Sequence, residues 1–177
     1  AVSACGGSSS NDENGETGTT ILSGTAAICA AVREAEVIAN CSDGTGFIDQ
    51  VFSKSDGTFG GQVDRDSLPC ALRVSKPSEG ILLHSFAIGS GITNITPLTD
   101  MTISLASSET PENWFNSPTP SDIEGAMSAA KLALMAALEA SGFEFPGDSF
   151  DPFNQAFSIG DSAYQVLDEI QESLASN

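Results

Sequence analysis

The sequence predicts a mainly β fold with added α-helices, in which an antiparallel β-sandwich is followed by a C-terminal helical segment. After residue 18, short runs of Val, Ile, Phe and Thr alternate with clusters of Gly, Asp, Asn and Ser, a pattern typical of antiparallel strands joined by tight turns. From residue 97 onward, apolar residues recur at every third or fourth position, as they do in helices. We therefore divide the 177 residues into a leader (1–18), a sandwich (19–96) and a helical segment (97–177).

The leader is polar and acidic, and its composition predicts a flexible tether because it cannot bury enough surface to fold alone. Its Ala1-Val2-Ser3-Ala4-Cys5 stretch resembles the end of a bacterial lipoprotein signal, where small residues precede the Cys that receives the lipid. The Gly-Gly-Ser-Ser-Ser run after Cys5 resembles the spacer of such lipoproteins. Cys5 is therefore a lipidation candidate. The alternative is that ordinary cleavage leaves Ala1 as the mature end and Cys5 free for a disulfide.

The four cysteines lack the spacing of zinc ligands, and they favour an exported protein with a disulfide. Cys41 ends one predicted strand and Cys70 opens another, so this pair is the first choice for a bond. Cys29 is then left to pair with Cys5 or with another chain, or to remain free.

The charge balance excludes two classes of partner. With 24 acidic and 6 basic residues, the net charge is -18, which repels both nucleic acid and acidic lipid headgroups. Membrane contact is therefore expected only through a lipid anchor. Residues 12–16 and 148–154 offer oxygen atoms to calcium, but neither stretch has the spacing of a calcium-binding loop, so no cofactor is expected, with calcium at one of these stretches as the alternative.

Seven strands are predicted within the sandwich. Ser42-Asp43-Gly44 and Ser55-Asp56-Gly57-Thr58 are predicted turns, because Asp-Gly readily adopts the positive φ angles that a tight connection needs. The predicted strands cover residues 20–28, 36–41, 47–53, 58–63, 71–75, 81–88 and 92–95.

Several short motifs within residues 20–105 follow the order found in one protein family. They are Ser23-Gly24-Thr25-Ala26, Val32-Arg33-Glu34-Ala35-Glu36-Val37, Ser55-Asp56-Gly57-Thr58-Phe59, Leu68-Pro69-Cys70-Ala71-Leu72-Arg73-Val74 and Asn94-Ile95-Thr96-Pro97-Leu98-Thr99. Together they resemble the carboxypeptidase regulatory-like domain of bacterial cell-envelope lipoproteins. The resemblance implies an immunoglobulin-like or transthyretin-like sandwich that serves as an accessory or structural module without catalytic residues. The chain departs from the family pattern at Cys29 and at Arg33-Glu34.

The helical segment contains three predicted helices. A short one covers residues 98–107, and a long one begins at a capping-box pattern formed by Ser121 and Glu124 and stops at Gly142. The last covers residues 162–174, with Asp161 as its N-terminal cap.

Two groups of residues are candidate partner surfaces. Five Phe residues lie between the two longer helices, and they predict either core packing or an apolar patch for a partner. The start of the first strand could complete the open edge of a neighbouring sheet. The candidate residues are Thr20, Ile21, Leu22, Phe143, Phe145, Phe150 and Phe153.

No catalytic motif stands out, and His84, the chain's single histidine, lies alone in the middle of a predicted strand. We therefore predict a non-enzymatic, exported structural or assembly protein of the bacterial cell envelope, at the outer membrane or cell surface, or outside the cell. It would be lipid-anchored, or a subunit of an extracellular assembly, which becomes a filament if strand exchange joins subunits head to tail. Its partners would be its own copies or other cell-surface proteins. The alternative is an envelope module that binds a carbohydrate, peptide or apolar ligand.

Overall fold

The computed structural model describes residues 18–147 and 149–176, which form seven strands followed by four α-helices. The strands are β1 Thr19–Thr25, β2 Glu36–Cys41, β3 Val51–Phe52, β4 Thr58–Asp64, β5 Cys70–Lys76, β6 Ile81–Ala87 and β7 Gly91–Ile92. The helices are α1 Pro97–Ser107, α2 Pro111–Phe115, α3 Glu124–Ala140 and α4 Ser162–Ala175. The predicted fold class, a sandwich followed by helices, is confirmed.

The strands form two facing sheets, with the orders β4-β1-β7 and β3-β2-β5-β6. In the first sheet β1 is central, antiparallel to β4 and parallel to β7. The second sheet is antiparallel throughout. Alternating residues of both sheets meet in one apolar core, because successive side chains of a strand point to opposite faces. Its larger members are Leu22, Val37, Phe59, Val63, Leu72, Val74 and Ile95.

The helices form a third layer on the outer face of the four-stranded sheet. Ala71 on β5 and Phe86 on β6 face each other on that side, and Ile103, Trp114 and Met127 from the helical layer cover them. A further apolar cluster lies between the helices themselves, where α4 packs against the start of α1. Its buried members are Ala27, Leu98, Phe157, Ala163, Tyr164, Val166, Leu167 and Ile170.

The predicted cap of the long helix is wrong. A 3-10 turn at Pro120–Ile123 precedes α3, so Ser121 lies inside that turn and no side chain caps the helix. Proline at the first position of the turn fixes its own φ and starts the winding one residue before Ser121. A capping box forms instead at the start of α1, between Thr96 and Thr99. The predicted cap of α4 is confirmed, because the Asp161 carboxylate accepts the Tyr164 N–H at 2.9 Å.

The turn between β3 and β4 depends on a glycine that no other residue can replace without a clash. Gly57 has a φ of +82°, and a Cβ there would press on the carbonyl oxygen of Ala26, which accepts the Val32 N–H. Gly80 also has a positive φ, +68°, but open space surrounds its missing Cβ. A comparison of substitutions at Gly57 and Gly80 therefore separates the cost of a positive φ from the cost of a steric clash.

We expect Gly57→Ala to lower the free energy of unfolding by about 2–3 kcal/mol, because left-handed strain adds to a displaced hydrogen bond. Gly80→Ala carries only the strain and should cost about 1 kcal/mol. Urea denaturation of both variants checks this difference. Equal losses would show that the Ala26 carbonyl adjusts freely.

Candidate functional site

The structure confirms the predicted disulfide between Cys41 and Cys70. The two residues lie directly opposite each other at the end of β2 and the start of β5, and both are buried. A buried disulfide is typical of proteins that fold outside the reducing cytosol. Cys29 is exposed with a free thiol, and Cys5 lies outside the described residues.

A charged cluster surrounds His84 on the outer face of β6. Its ring is only 3% exposed, with Nδ1 at 2.8 Å from Asp100 Oδ1 and Nε2 at 2.9 Å from Glu112 Oε2. Arg73, directly opposite on β5, donates to the other oxygen of Glu112 at 2.9 Å. The Arg73 guanidinium also lies 4.7 Å from the centre of the Phe115 ring. One histidine thus joins the sheet to α1 and α2.

Asp100 and its neighbour Thr99 also cover the open edge of β6. The His84 main-chain N–H donates to Asp100 Oδ1 at 2.9 Å, and the Thr99 hydroxyl donates to the His84 carbonyl at 2.7 Å. An edge strand with unpaired main-chain groups is a template for pairing with another chain. The first turn of α1 therefore protects the edge of the four-stranded sheet at this point.

The charges of this cluster favour ionised contacts that join the sheet to the helical layer. Burial opposes ionisation of Glu112, but hydrogen bonds from His84 and Asn116 and the charge of Arg73 outweigh it and hold the pKa of Glu112 below its ordinary value. Ser85 is the neighbouring hydroxyl, but it is fully buried and on the opposite side of the strand. Both ring nitrogens are bonded to carboxylates, so among the described residues no serine hydroxyl pairs with the His84 ring. Sequence reasoning missed Asp100 and Glu112, since nothing in their spacing distinguishes them from the other acidic residues.

Asn94 forms a second buried connection that the sequence did not reveal. Its Oδ1 accepts the Thr25 N–H at 3.1 Å, and its Nδ2 donates to the Gln155 carbonyl at 2.6 Å and to the Pro152 carbonyl at 3.4 Å. The side chain therefore joins the end of β1 to the loop before α4. Asn94 lies where the chain leaves the sheets, and Asp100 follows it in the first turns of α1.

A cavity of about 460 Å³ opens beside Cys29. Its wall includes Arg33, Phe157 and Tyr164, and thus combines an apolar surface with a thiol, a phenol and a guanidinium. Burial raises the pKa of Tyr164 to about 12, and the charge and hydrogen bond of Asp168 act in the same direction. The Tyr164 hydroxyl therefore stays protonated, and neutral, at any pH well below about 12.

Tyr164 is the only tyrosine of the chain, so its ionisation can be followed by phenolate absorbance. We expect Tyr164 in the folded protein to ionise with a pKa of about 12. Because the folded pKa is raised, this contribution to stability is complete below about pH 10 and is lost as the pH rises through the folded pKa. Asp168→Asn should lower the pKa but leave it above about 10, the ordinary tyrosine value, because burial remains. Glu169→Gln, on the exposed neighbour, is the control and should not move it.

Two of the predicted partner-surface residues are buried, and that part of the prediction is wrong. Leu22 is 0% exposed because it points into the sandwich core, and Phe153 is 4% exposed because it packs under the helical layer. On β1, Thr20 is half-buried, and Ile21, on the outer face, is 56% exposed.

The other three aromatic residues of that prediction lie at the margin of the helical core. Phe143, Phe145 and Phe150 are half-buried against it, and the last two rings stack with centroids 5.5 Å apart. Core packing therefore accounts for much of the Phe cluster, as the sequence allowed. Their exposed edges stay candidates for a partner contact.

The two acidic stretches weighed for calcium do not form a site among the described residues. Residues 12–16 and Asp148 lie outside the described part of the chain. Asp151 is already occupied, since one oxygen binds Lys131 at 2.6 Å and the other accepts the Phe153 N–H at 2.9 Å. Within residues 18–147 and 149–176, no group of three or more His, Cys, Asp or Glu is placed to hold a metal ion.

None of the described helices is long and apolar enough to cross a membrane. No protein-family model, curated protein or solved structure matches the chain.

Proposed function

We propose that the chain is a non-enzymatic, exported module of the bacterial cell envelope that its N-terminal leader holds at the surface. The observation that supports this most directly is the way in which the leader joins the fold. The Gly18 carbonyl accepts the Arg65 N–H at 2.8 Å, and β1 then runs through the middle of its sheet. A tether attached to a central strand transmits force into many hydrogen bonds at once, because β1 pairs with β4 from Thr19 to Thr25.

The attachment point is close in the chain to the disulfide. Arg65 and Ser67 belong to the short turn that connects β4 to β5, and the Ser67 carbonyl accepts the N–H of Ser42, the residue after Cys41, at 2.9 Å. The covalent bond between Cys41 and Cys70 therefore reinforces the region in which the leader enters. A cross-linked β-module that follows a polar leader agrees with the motif resemblance to carboxypeptidase regulatory-like domains of envelope lipoproteins.

Lipid anchoring fits this arrangement better than strand exchange. To complete a neighbour's sheet, β1 would have to leave β4 and β7 and withdraw Leu22, which is fully buried, from the core. Exposing a leucine of this kind costs about 1.5–3 kcal/mol before any hydrogen bond is counted. We therefore propose Cys5 as the lipid attachment site, with other cell-surface proteins as partners.

Fractionation of the producing bacterium tests this proposal with a matched pair of variants. Cys5→Ser should move the protein from the membrane fraction to the soluble exported fraction, and it should abolish partition into a detergent phase. Cys29→Ser, which alters an exposed free thiol on the folded module, should leave both properties unchanged. Membrane retention of Cys5→Ser, or a soluble unaltered protein, would exclude the lipid anchor.

The cavity beside Cys29 favours a second function, binding of a peptide or a carbohydrate. Its volume of about 460 Å³ lies within the range of small-molecule sites, and its wall carries both apolar and polar groups. A rise in melting temperature on addition of short peptides or oligosaccharides would support this function. Ala30→Trp, in the cavity wall, should abolish that rise, whereas Ser78→Trp, on an exposed turn away from it, should not. A rise that survives Ala30→Trp would place binding elsewhere.

A further inference from the structure

We infer that His84 is a pH-sensitive clamp, whose protonation strengthens the attachment of α2 to the four-stranded sheet and whose deprotonation weakens it. The geometry that carries this inference is the placement of a carboxylate oxygen at each ring nitrogen. Nδ1 is 2.8 Å from Asp100, and Nε2 is 2.9 Å from Glu112. Both distances are those of charge-assisted hydrogen bonds.

The protonated and neutral forms of the ring differ in how many of these contacts they can make. The imidazolium carries two N–H groups and donates to both carboxylates, whereas neutral imidazole has one N–H and one lone pair. Loss of the proton therefore leaves a lone pair facing an ionised carboxylate at hydrogen-bond distance. With the ring almost fully buried, water cannot relieve that contact unless the layer opens.

The charges around the ring differ in their balance between its two forms. Three charged groups face it or its partners: Arg73 from β5, Asp100 from α1 and Glu112 from α2. With His84 protonated, two positive groups balance two negative ones. With His84 neutral, one negative charge is left over within a chain whose net charge is already -18.

The contact with Glu112 is the one expected to open first. Asp100 is held a second time by the His84 main-chain N–H, and its side chain is 26% exposed against 38% for Glu112. A neutral ring therefore keeps its proton on Nδ1 and its bond to Asp100. Glu112 then faces a lone pair and keeps only its ion pair with Arg73, so α2, a helix of only five residues, loses one of its attachments to the sheet.

Hydrogen exchange of the main chain tests the clamp in the full-length protein. The useful amides are those of Trp114, Asn116 and Ser117, which donate to carbonyls within or beside α2. Between about pH 5.5 and about pH 7.5, histidine is the only side chain with an ordinary pKa in range, and the chain has one. We expect the protection factors of these amides to fall on the order of tenfold at the higher pH, as for loss of one charge-assisted bond. Amides of β2 and β5 should not change.

Glu112→Gln separates the clamp from a general effect of pH. The glutamine amide can accept from the protonated ring and donate to the neutral one, so the fall in protection should disappear. Glu109→Gln removes the same charge three residues away, on an exposed side chain, and should keep the fall. Equal protection at both pH values in the unaltered protein, or an undiminished fall in Glu112→Gln, would overturn the inference.

Discussion

Replacement of Asn94 by Ala is expected to lower the free energy of unfolding by about 3–4 kcal/mol, a large loss for a single substitution. Asn94 is 1% exposed, and its amide satisfies the Thr25 N–H and the carbonyls of Pro152 and Gln155. Truncation leaves the buried Thr25 N–H and Pro152 carbonyl and the part-buried Gln155 carbonyl without that partner, and each buried unsatisfied group costs about 1–3 kcal/mol.

Two further variants identify the origin of this loss. Asn94→Asp keeps the acceptor for Thr25 but sets a charged oxygen against the Gln155 carbonyl, 2.6 Å from the present nitrogen, and should be at least as damaging. Asn113→Ala, at an exposed asparagine of α2, should change stability by less than about 0.5 kcal/mol. Denaturation midpoints in urea measure all three. If Asn94→Ala matched Asn113→Ala, the connection between β1 and the loop before α4 would not support the fold.

Removal of the disulfide is expected to be nearly as costly. The bond joins residues 29 positions apart, and the loop-closure entropy of the unfolded chain then corresponds to about 3–4 kcal/mol of stabilisation. The double variant Cys41→Ala/Cys70→Ala should lose this amount and should no longer respond to reductant. Because both residues are buried in the sandwich core, Ala also leaves a small cavity.

The comparison with Cys29 separates the bond from the effect of losing a sulfur. Cys29→Ser removes an exposed thiol and should shift stability by less than about 0.5 kcal/mol. The unaltered protein in excess dithiothreitol should lose about as much stability as the double variant. A denaturation midpoint that does not move on reduction would show that the cross-link contributes nothing to the folded state.

The elements with strong periodic patterns could be predicted from the sequence. Strand β2 was predicted with its observed bounds, and the hairpin at Asp56-Gly57 is formed, because alternation and Asp-Gly turns are local signals. The bond between Cys41 and Cys70 followed from their places at the ends of adjacent strands. The cap at Asp161 followed from the same kind of local rule.

What the sequence could not reveal depends on contacts between distant parts of the chain. His84 alone gives no sign that Asp100 and Glu112 will lie against it, 16 and 28 positions away. Leu22 and Phe153 are buried, although the sequence predicts them on a partner surface. The position of a residue in a strand or loop does not indicate which face of that element another layer covers. The central position of β1 depends on its parallel pairing with β7, which no local pattern encodes.

The intact mass of the protein purified from its producing bacterium tests most directly that this is an oxidised, exported module held by its leader. We expect a chain that begins at Cys5 and carries a lipid, with a mass reduced by the two hydrogens lost in the bond between Cys41 and Cys70. A chain without lipid, in which all four cysteines are present as free thiols, would contradict both the anchor and the compartment.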